Sequence, residues 1–320
     1  MPADSTVPVY FDCDTGVDDA VAIALLLASP EINLVGIGCV SGNIDAASAA
    51  RNTLDLLALA GRTDVPVAIG EHDYLSEPFP GGVPVIHGEN GIGGVVLDPS
   101  PVGPIDESAA QMLIRLAHEN HGRLRVIAVG PLTNLARALR IDPTIAPLVE
   151  SVTIMGGAAL AAGNLSPVAE ANIGHDPEAA AIVFSALWPI VLVPLDVTVE
   201  NVLEEHERQQ LVASGRPFPR AIGEILDGYF GFYVRLYGRR SCALHDPLAV
   251  AIAVGIITPT VAPAVSVVID DTHGPGRGQT ICDLRGQRQG PVDQPGARCR
   301  VVLATDRPLA PVLLERILTL

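Results

Sequence analysis

The 320-residue chain contains no lysine; all 20 of its basic residues are arginine. That absence excludes Schiff-base chemistry, a P-loop lysine and a lysine general base. Positive charge is scarce altogether. The net charge of −16 leaves little to neutralise nucleic-acid phosphates, so no nucleic-acid partner is expected. No run approaches the roughly 20 apolar residues that cross a bilayer, and the longest, 20–28 and 247–257, read as buried helices. Cys13, Cys39, Cys242, Cys282 and Cys299 are odd in number and contain no Cys-x-x-Cys pair. This argues for free thiols in a reducing compartment and against a zinc site. Residues 1–6 lack the basic and apolar regions of a signal peptide. A cytoplasmic protein without membrane partners is the expectation. Internal repeats and dividing linkers are also missing, so residues 1–320 read as a single domain. At 48% hydrophobic and 18% charged, the chain has the composition of a well-buried globular protein.

What is present is concentrated early. Residues 7–11 form a short apolar run that reads as a buried strand, and residues 20–28 read as a helix. Between them lie four aspartates within eight residues: Asp12, Asp14, Asp18 and Asp19. Asp18 and Asp19 fall at a helix N-terminus, where exposed N–H groups favour negative charge. Asp12 and Asp14 fall at the carboxyl end of a strand, where open α/β sheets bind ligands. Capping accounts for one or two of these acids. Four on one turn repel one another unless a cation sits among them, and hard oxygen donors suit Ca²⁺ or Mg²⁺. An EF-hand loop fits poorly, because Gly16 comes one position early and a strand leads in. An aspartate-nucleophile phosphatase opens with a similar Asp-x-Asp-x-Thr turn and remains a rival on this stretch alone.

Strand and helix signals then alternate over the first 200 residues. Strands are read at 32–40, 65–69, 124–129, 152–155 and 190–194, and helices at 46–60, 108–120, 133–139 and 176–187. The alternation predicts an α/β fold: a mostly parallel, doubly wound central sheet flanked by helices. Helices at 204–213, 220–237 and 245–254 follow. Strands at 265–269, 279–283 and 300–304 make a small β-rich C-terminal portion. The Gly- and Pro-rich segment 71–104 is long for a compact domain and reads as functional or mobile; segment 286–296 reads as an exposed turn.

Polar residues follow the predicted strands repeatedly: Asn43, Asn134, then Asn164 and Asn172. Each alone is an ordinary turn former. Together, on one sheet edge opposite the acids, they point to a crevice for a neutral, polyhydroxylated ligand around a divalent cation. No Gly-x-Gly-x-x-Gly follows the first strand, and no arginine lies near it to hold a phosphate. His245-Asp246-Pro247 opens an apolar helix; Asp246 could complete the cation's shell and His245 could donate a proton near neutral pH. His87 is a surface histidine unless the segment around it closes over a site.

Taken together these motifs resemble the inosine–uridine-preferring nucleoside hydrolases over nearly the whole chain. The resemblance rests on residues 12–20 (Asp12-Cys13-Asp14-Thr15-Gly16-Val17-Asp18-Asp19-Ala20), Gly42-Asn43, His87-Gly88-Glu89-Asn90-Gly91, Gly130-Pro131-Leu132-Thr133-Asn134, Met155-Gly156-Gly157, Gly163-Asn164, Ala169-Glu170-Ala171-Asn172 and His245-Asp246-Pro247. It implies a Ca²⁺ ion held by Asp14, Asp19, Asp246 and the Val129 carbonyl, with a small-molecule ribonucleoside as substrate. By the same resemblance Asp14 takes a proton from a metal-bound water, and Asp18, Asn164, Glu170 and Asn172 hold the ribose. Asn43 helps orient the water, His245 assists the leaving base, and His87 is a second contact. Family members form dimers or tetramers, so a homodimer or homotetramer with a role in purine or pyrimidine salvage is implied.

One departure matters. The position between Glu170 and Asn172, aromatic in some members, is Ala171, so the wall there is open or another aromatic fills it. Tyr229, Tyr233 and Tyr237 recur every four residues; such a stripe is core or stacks on the base, and Tyr229 and Tyr233 are the candidates for stacking. Two other classes stay in view: the phosphatase, which lacks its lysine and its second acidic motif here, and a non-catalytic ribose- or nucleoside-binding protein.

Overall fold

The computed structural model describes residues 6–288 and 290–320, and for Tyr237 only its place in the helix. The start of the chain, read above for a signal peptide, therefore lies outside the described residues except for Thr6, as does the side chain of Tyr237.

The apolar opening run extends two residues further than its sequence pattern suggests, forming strand β1 (Val7–Cys13). It pairs in parallel with β2 (Ile32–Cys39) on one side and β4 (Leu124–Ala128) on the other. Side chains alternate across it: Val9 and Phe11 enter one hydrophobic core and Tyr10 the other. Burial on both faces is why these strands read as continuous apolar runs. With β3 (Val67–Ile69), β5 (Val149–Met155) and β6 (Ile190–Val193), the order along the sheet is β3-β2-β1-β4-β5-β6. The chain therefore reverses its winding direction between β1 and β4, and the carboxyl ends of those strands open a crevice there.

Cys299–Val301 extends the sheet in parallel beyond β6, and Ala264–Val265 adds an antiparallel edge. Helices Val17–Leu27 (α1), Ala46–Leu59 (α2), Pro217–Tyr237 and His245–Ala253 pack on one face. Ala109–Glu119, Thr133–Ile141 and Pro177–Ser185 cover the other. The fold is the expected mostly parallel sheet flanked by helices, with small antiparallel pairs such as Val267–Ile269 with Thr280–Cys282 late in the chain. The run read as one strand at 265–269 breaks at Ser266, whose N–H is taken by the Gln294 side chain at 2.8 Å. Its two halves then join different sheets. Residues 300–304 divide in the same way.

Two details position the site. Helix α1 begins at Val17, three residues before its apolar run, because Asp19 accepts the Gly16 N–H at 2.8 Å and closes the first turn. Segment 71–104 is tied down along its length. Leu75 N–H donates to Asp176, Asn52 donates to the Asn90 carbonyl, and Ser100 N–H donates to Asp55. A short helix, Pro84–His87, buries His87 instead of leaving it on the surface. Among the described residues no helix is long and apolar enough to cross a membrane.

Candidate active site

Of the four early aspartates, Asp12 turns away from the crevice. Its carboxylate accepts the Tyr10 hydroxyl at 2.6 Å and the Asn134 amide at 3.1 Å, and burial pushes it up to about 7. Asn134 in turn accepts the Glu71 N–H at 2.8 Å. Two of the strand-end polar residues are thus structural cross-links. Asp12 is the last even-numbered residue of β1 and shares the face of Tyr10, which turns it toward that hydroxyl, whereas Asp14 lies past the strand's end and is free to turn into the crevice; Asn134 sits in the first turn of helix Thr133–Ile141.

The other three acids converge. Asp14 accepts the Asn43 N–H through Oδ2 at 2.7 Å, while its Oδ1 is buried with no partner among the described residues. Asp19 accepts the backbone N–H groups of Asp14 and Gly16 and the Asn43 side-chain amide. From the far end of the chain, Asp246 arrives in the first turn of helix His245–Ala253, which packs against α1. Oxygens of Asp18, Asp19 and Asp246 lie within 4.8 Å of one another. Burial raises all of these carboxyls: Asp18 to about 7, and Asp14, Asp19 and Asp246 above the usual range, with mutual repulsion adding to the rise for Asp14, Asp18 and Asp246. Three buried acids and the half-buried Asp18, with two orphaned oxygens among them (Oδ1 of Asp14 and of Asp18), are a poor arrangement for a protein alone. They fit a hard divalent cation well.

Above this floor is a cavity of about 610 Å³. Asp18, Asn43, His87, Val129, Asn164, Glu170, Asn172, Tyr229, Tyr233, His245 and Asp246 all line it, bringing together residues more than 200 positions apart. Asp14 and Asp19 lie beneath. The Val129 carbonyl accepts the Asn172 side-chain amide at 2.8 Å and keeps a second lone pair. Glu170 caps helix Ala171–His175, accepting the N–H groups of Asn172, Ile173 and Gly157; even so, burial pushes it up to about 7. Asn164 is exposed at the rim, its Oδ1 holding the Ala171 N–H at 2.9 Å. No arginine is among the described lining residues. A phosphoryl group would find no counter-charge there.

The opposite wall is aromatic. His245 Nε2 lies 3.0 Å from the Tyr233 hydroxyl, which lies 3.5 Å from that of Tyr229. Tyr229 and Tyr233 belong at once to the core and to the cavity wall, because the long helix Pro217–Tyr237 turns one face to each. His245 Nδ1 meets the Thr198 hydroxyl at 2.8 Å, a partner that no motif announced; its one signal is a lone hydroxyl in the apolar stretch after β6. Burial pulls His245 down to about 4, so it is neutral at pH 7 instead of the ready acid its ordinary range implies. His87 is pulled to about 3 by burial and by His245, and its Nδ1 accepts the Val17 N–H at 3.1 Å. Its 3.9 Å approach to Asp18 is therefore not an ion pair. Apolar lining residues such as Ile86 and Leu195 also escaped the sequence reading, since nothing separates them from core.

A family profile described as inosine-uridine preferring nucleoside hydrolase matches residues 9–310. The chain belongs to the nucleoside hydrolase family. Members cleave N-glycosidic bonds, and the enzyme described here is one of these hydrolases. Among curated relatives, a probable uridine nucleosidase 2 of Arabidopsis thaliana is 37% identical, the match covering 77% of this chain and 76% of the relative. A pyrimidine-specific ribonucleoside hydrolase of Citrobacter koseri is 36% identical over 77% and 78%. Among solved structures, a plant nucleoside hydrolase superposes with a TM-score of 0.90 at 32% identity, covering 98% and 99% of the two chains. A purine-preferring ribonucleoside hydrolase from Gardnerella vaginalis reaches 0.88 at 33% identity, covering 98% and 97%. The phosphatase and the passive binding protein are thereby set aside.

Proposed function

We propose that this nucleoside hydrolase uses Ca²⁺ to hydrolyse ribonucleosides to free base and ribose by direct attack of water. The observation that carries the reading is the cluster of Asp18, Asp19 and Asp246 oxygens within 4.8 Å of one another, with the buried, unpartnered Oδ1 of Asp14 in reach of their field. Held by Asp14, Asp19, Asp246 and the Val129 carbonyl, the cation would supply Lewis-acid polarisation and anchorage for hydroxyl groups.

The chain's own residues account for the remaining steps. Asp14 Oδ1 accepts a proton from the attacking water, while Asn43 holds Oδ2 in place. Asp18, Asn164, Glu170 and Asn172 surround the ribose. The carboxylate-rich floor stabilises the positive charge that develops on the sugar as the bond to the base breaks. At the other wall neutral His245 can pass a proton to the leaving base only if another reaches it, and the Tyr233 hydroxyl is placed to relay one from solvent, giving its own proton to Nε2 as it takes up another. We expect His245→Ala to lower kcat about 10²-fold with a smaller change in KM, as for loss of one proton-transfer group. A raised KM with kcat unchanged would assign His245 to binding alone.

Direct attack implies inversion at the anomeric carbon. Proton NMR of the first product should show the α-anomer of ribose before mutarotation, and a trapped ribosyl-enzyme would exclude this course. The relatives' names span uridine, pyrimidine and purine substrates, so the test is ribose release from inosine, adenosine, guanosine, uridine and cytidine. Release from at least one, lost on chelation and restored by Ca²⁺, supports the reading; release unaffected by chelation overturns the calcium requirement. Five free cysteines agree with a cytoplasmic setting and a place in nucleoside salvage. Exposed apolar side chains such as Leu160 and Val85 offer surface for the homodimer or homotetramer, which light scattering would establish.

A further inference from the structure

The carboxylates of this site serve the hydrogens of a sugar's hydroxyl groups well, but donors for its oxygens are few. The Asn172 amide is spent on the Val129 and Met155 carbonyls, and that of Asn43 on Asp19. Three buried hydroxyls are unspent among the described residues, those of Tyr74, Ser241 and Thr280, and of these only the Tyr74 ring stacks on a residue of the cavity wall. The Tyr74 hydroxyl has no partner among the described residues, although Tyr74 is only 7% exposed. An orphaned buried hydroxyl is costly unless a ligand satisfies it.

Tyr74 is not among the residues that line the cavity but stands directly behind one that does. The ring stacks on His175, with centroids 5.7 Å apart and planes at 25°, and His175 lines the cavity one helical turn beyond Ala171. Phe79 packs edge-on against the other side at 6.1 Å, and the Leu75 N–H bond to Asp176 fixes the backbone. Asp176 does not serve the hydroxyl; its oxygens hold Leu75, Thr133 and Ala179. The other acid whose field reaches the phenol is Asp14; burial and these two carboxylates push Tyr74 up, so it stays a donor at any working pH.

Resting on the proposed N-ribosyl hydrolysis, we propose that Tyr74 is a further substrate-contacting residue, donating its O–H to a ribose hydroxyl from beside His175.

The test compares wild type with Tyr74→Phe, which keeps the ring and its stacking. The substrates are the best ribonucleoside of the panel and its 2′-, 3′- and 5′-deoxy forms, all with Ca²⁺ present. We expect kcat/KM on the ribonucleoside to fall about 3- to 10-fold, the size of one neutral hydrogen bond. On the deoxy form lacking the contacted hydroxyl, the two proteins should be equal. An undiminished kcat/KM, or the same fall on all three deoxy forms, overturns the proposal; the second result would place the hydroxyl on the attacking water. Calorimetric binding of methyl β-D-ribofuranoside gives a readout independent of turnover. Affinity should weaken by a similar factor in Tyr74→Phe, and unchanged affinity would again overturn the contact. If the wild type releases ribose from nothing yet binds this ribofuranoside through Tyr74, the hydrolytic reading fails and the contact stands.

Discussion

Asp14→Asn is expected to lower kcat for ribose release by at least about 10³-fold, toward the upper end of what a positioned base contributes. The amide is nearly isosteric. Its oxygen can still accept the Asn43 N–H that now holds Oδ2 at 2.7 Å, so the turn Asp12 to Asp19 keeps its shape. What disappears is the negative oxygen that accepts the proton. Folding stability in the absence of divalent cations should not fall and should rise near pH 7. The reason lies in the direction of the shift. Burial, with Asp19 close by, holds the folded Asp14 carboxyl above its unfolded value, so the folded state binds the extra proton. Stability from such a group is present in full below about pH 4, the unfolded value, and is lost as pH rises through the folded one. The neutral amide of the variant carries no such loss. Steady-state kinetics with thermal melts in EDTA check both halves. A variant retaining a tenth of wild-type kcat would remove Asp14 from the base's role.

Removing divalent cations should abolish ribose release, and it should lower the melting temperature by an amount that grows with pH. Asp14, Asp18, Asp19 and Asp246 all carry raised carboxyls, with Asp18 at about 7. Chelated protein is therefore expected to lose stability steadily between about pH 4 and pH 7, as the unfolded chain ionises and the folded one resists. Calcium-loaded protein holds the same acids ionised, and its curve should be flatter. The gap between the two should be small at about pH 4.5 and large at about pH 7.5. With free Ca²⁺ at a hundred times its dissociation constant, linkage gives about 2.7 kcal/mol. Melts across this pH range, in Ca²⁺ and in EDTA, measure it. Coincident curves throughout would show that the acids bind no cation that matters to the fold.

Much of this was open to reading from the sequence, for a physical reason. Parallel strands covered on both faces must be continuous apolar runs, and the turns after them carry the polar residues, so the sheet and its active edge are written locally. The cluster Asp14, Asp18 and Asp19 with distant Asp246 was legible because acids beside apolar runs have few other uses. Ala171 could likewise be seen as a gap. Only the tertiary structure decided how each polar group is spent. Asp12 and Asn134, alike in sequence to their neighbours, are taken up by each other and by Tyr10 and the Glu71 N–H. His87 and His245 are buried, and burial moves both out of the range in which a free imidazole titrates near pH 7. The partnership of His245 with Thr198, and of Tyr74 with His175, joins residues 47 and 101 positions apart. Composition and periodicity report which face of an element is buried. They hold no record of which residues meet across the folded chain, and in this site the meetings set the charge and the hydrogen-bond donors.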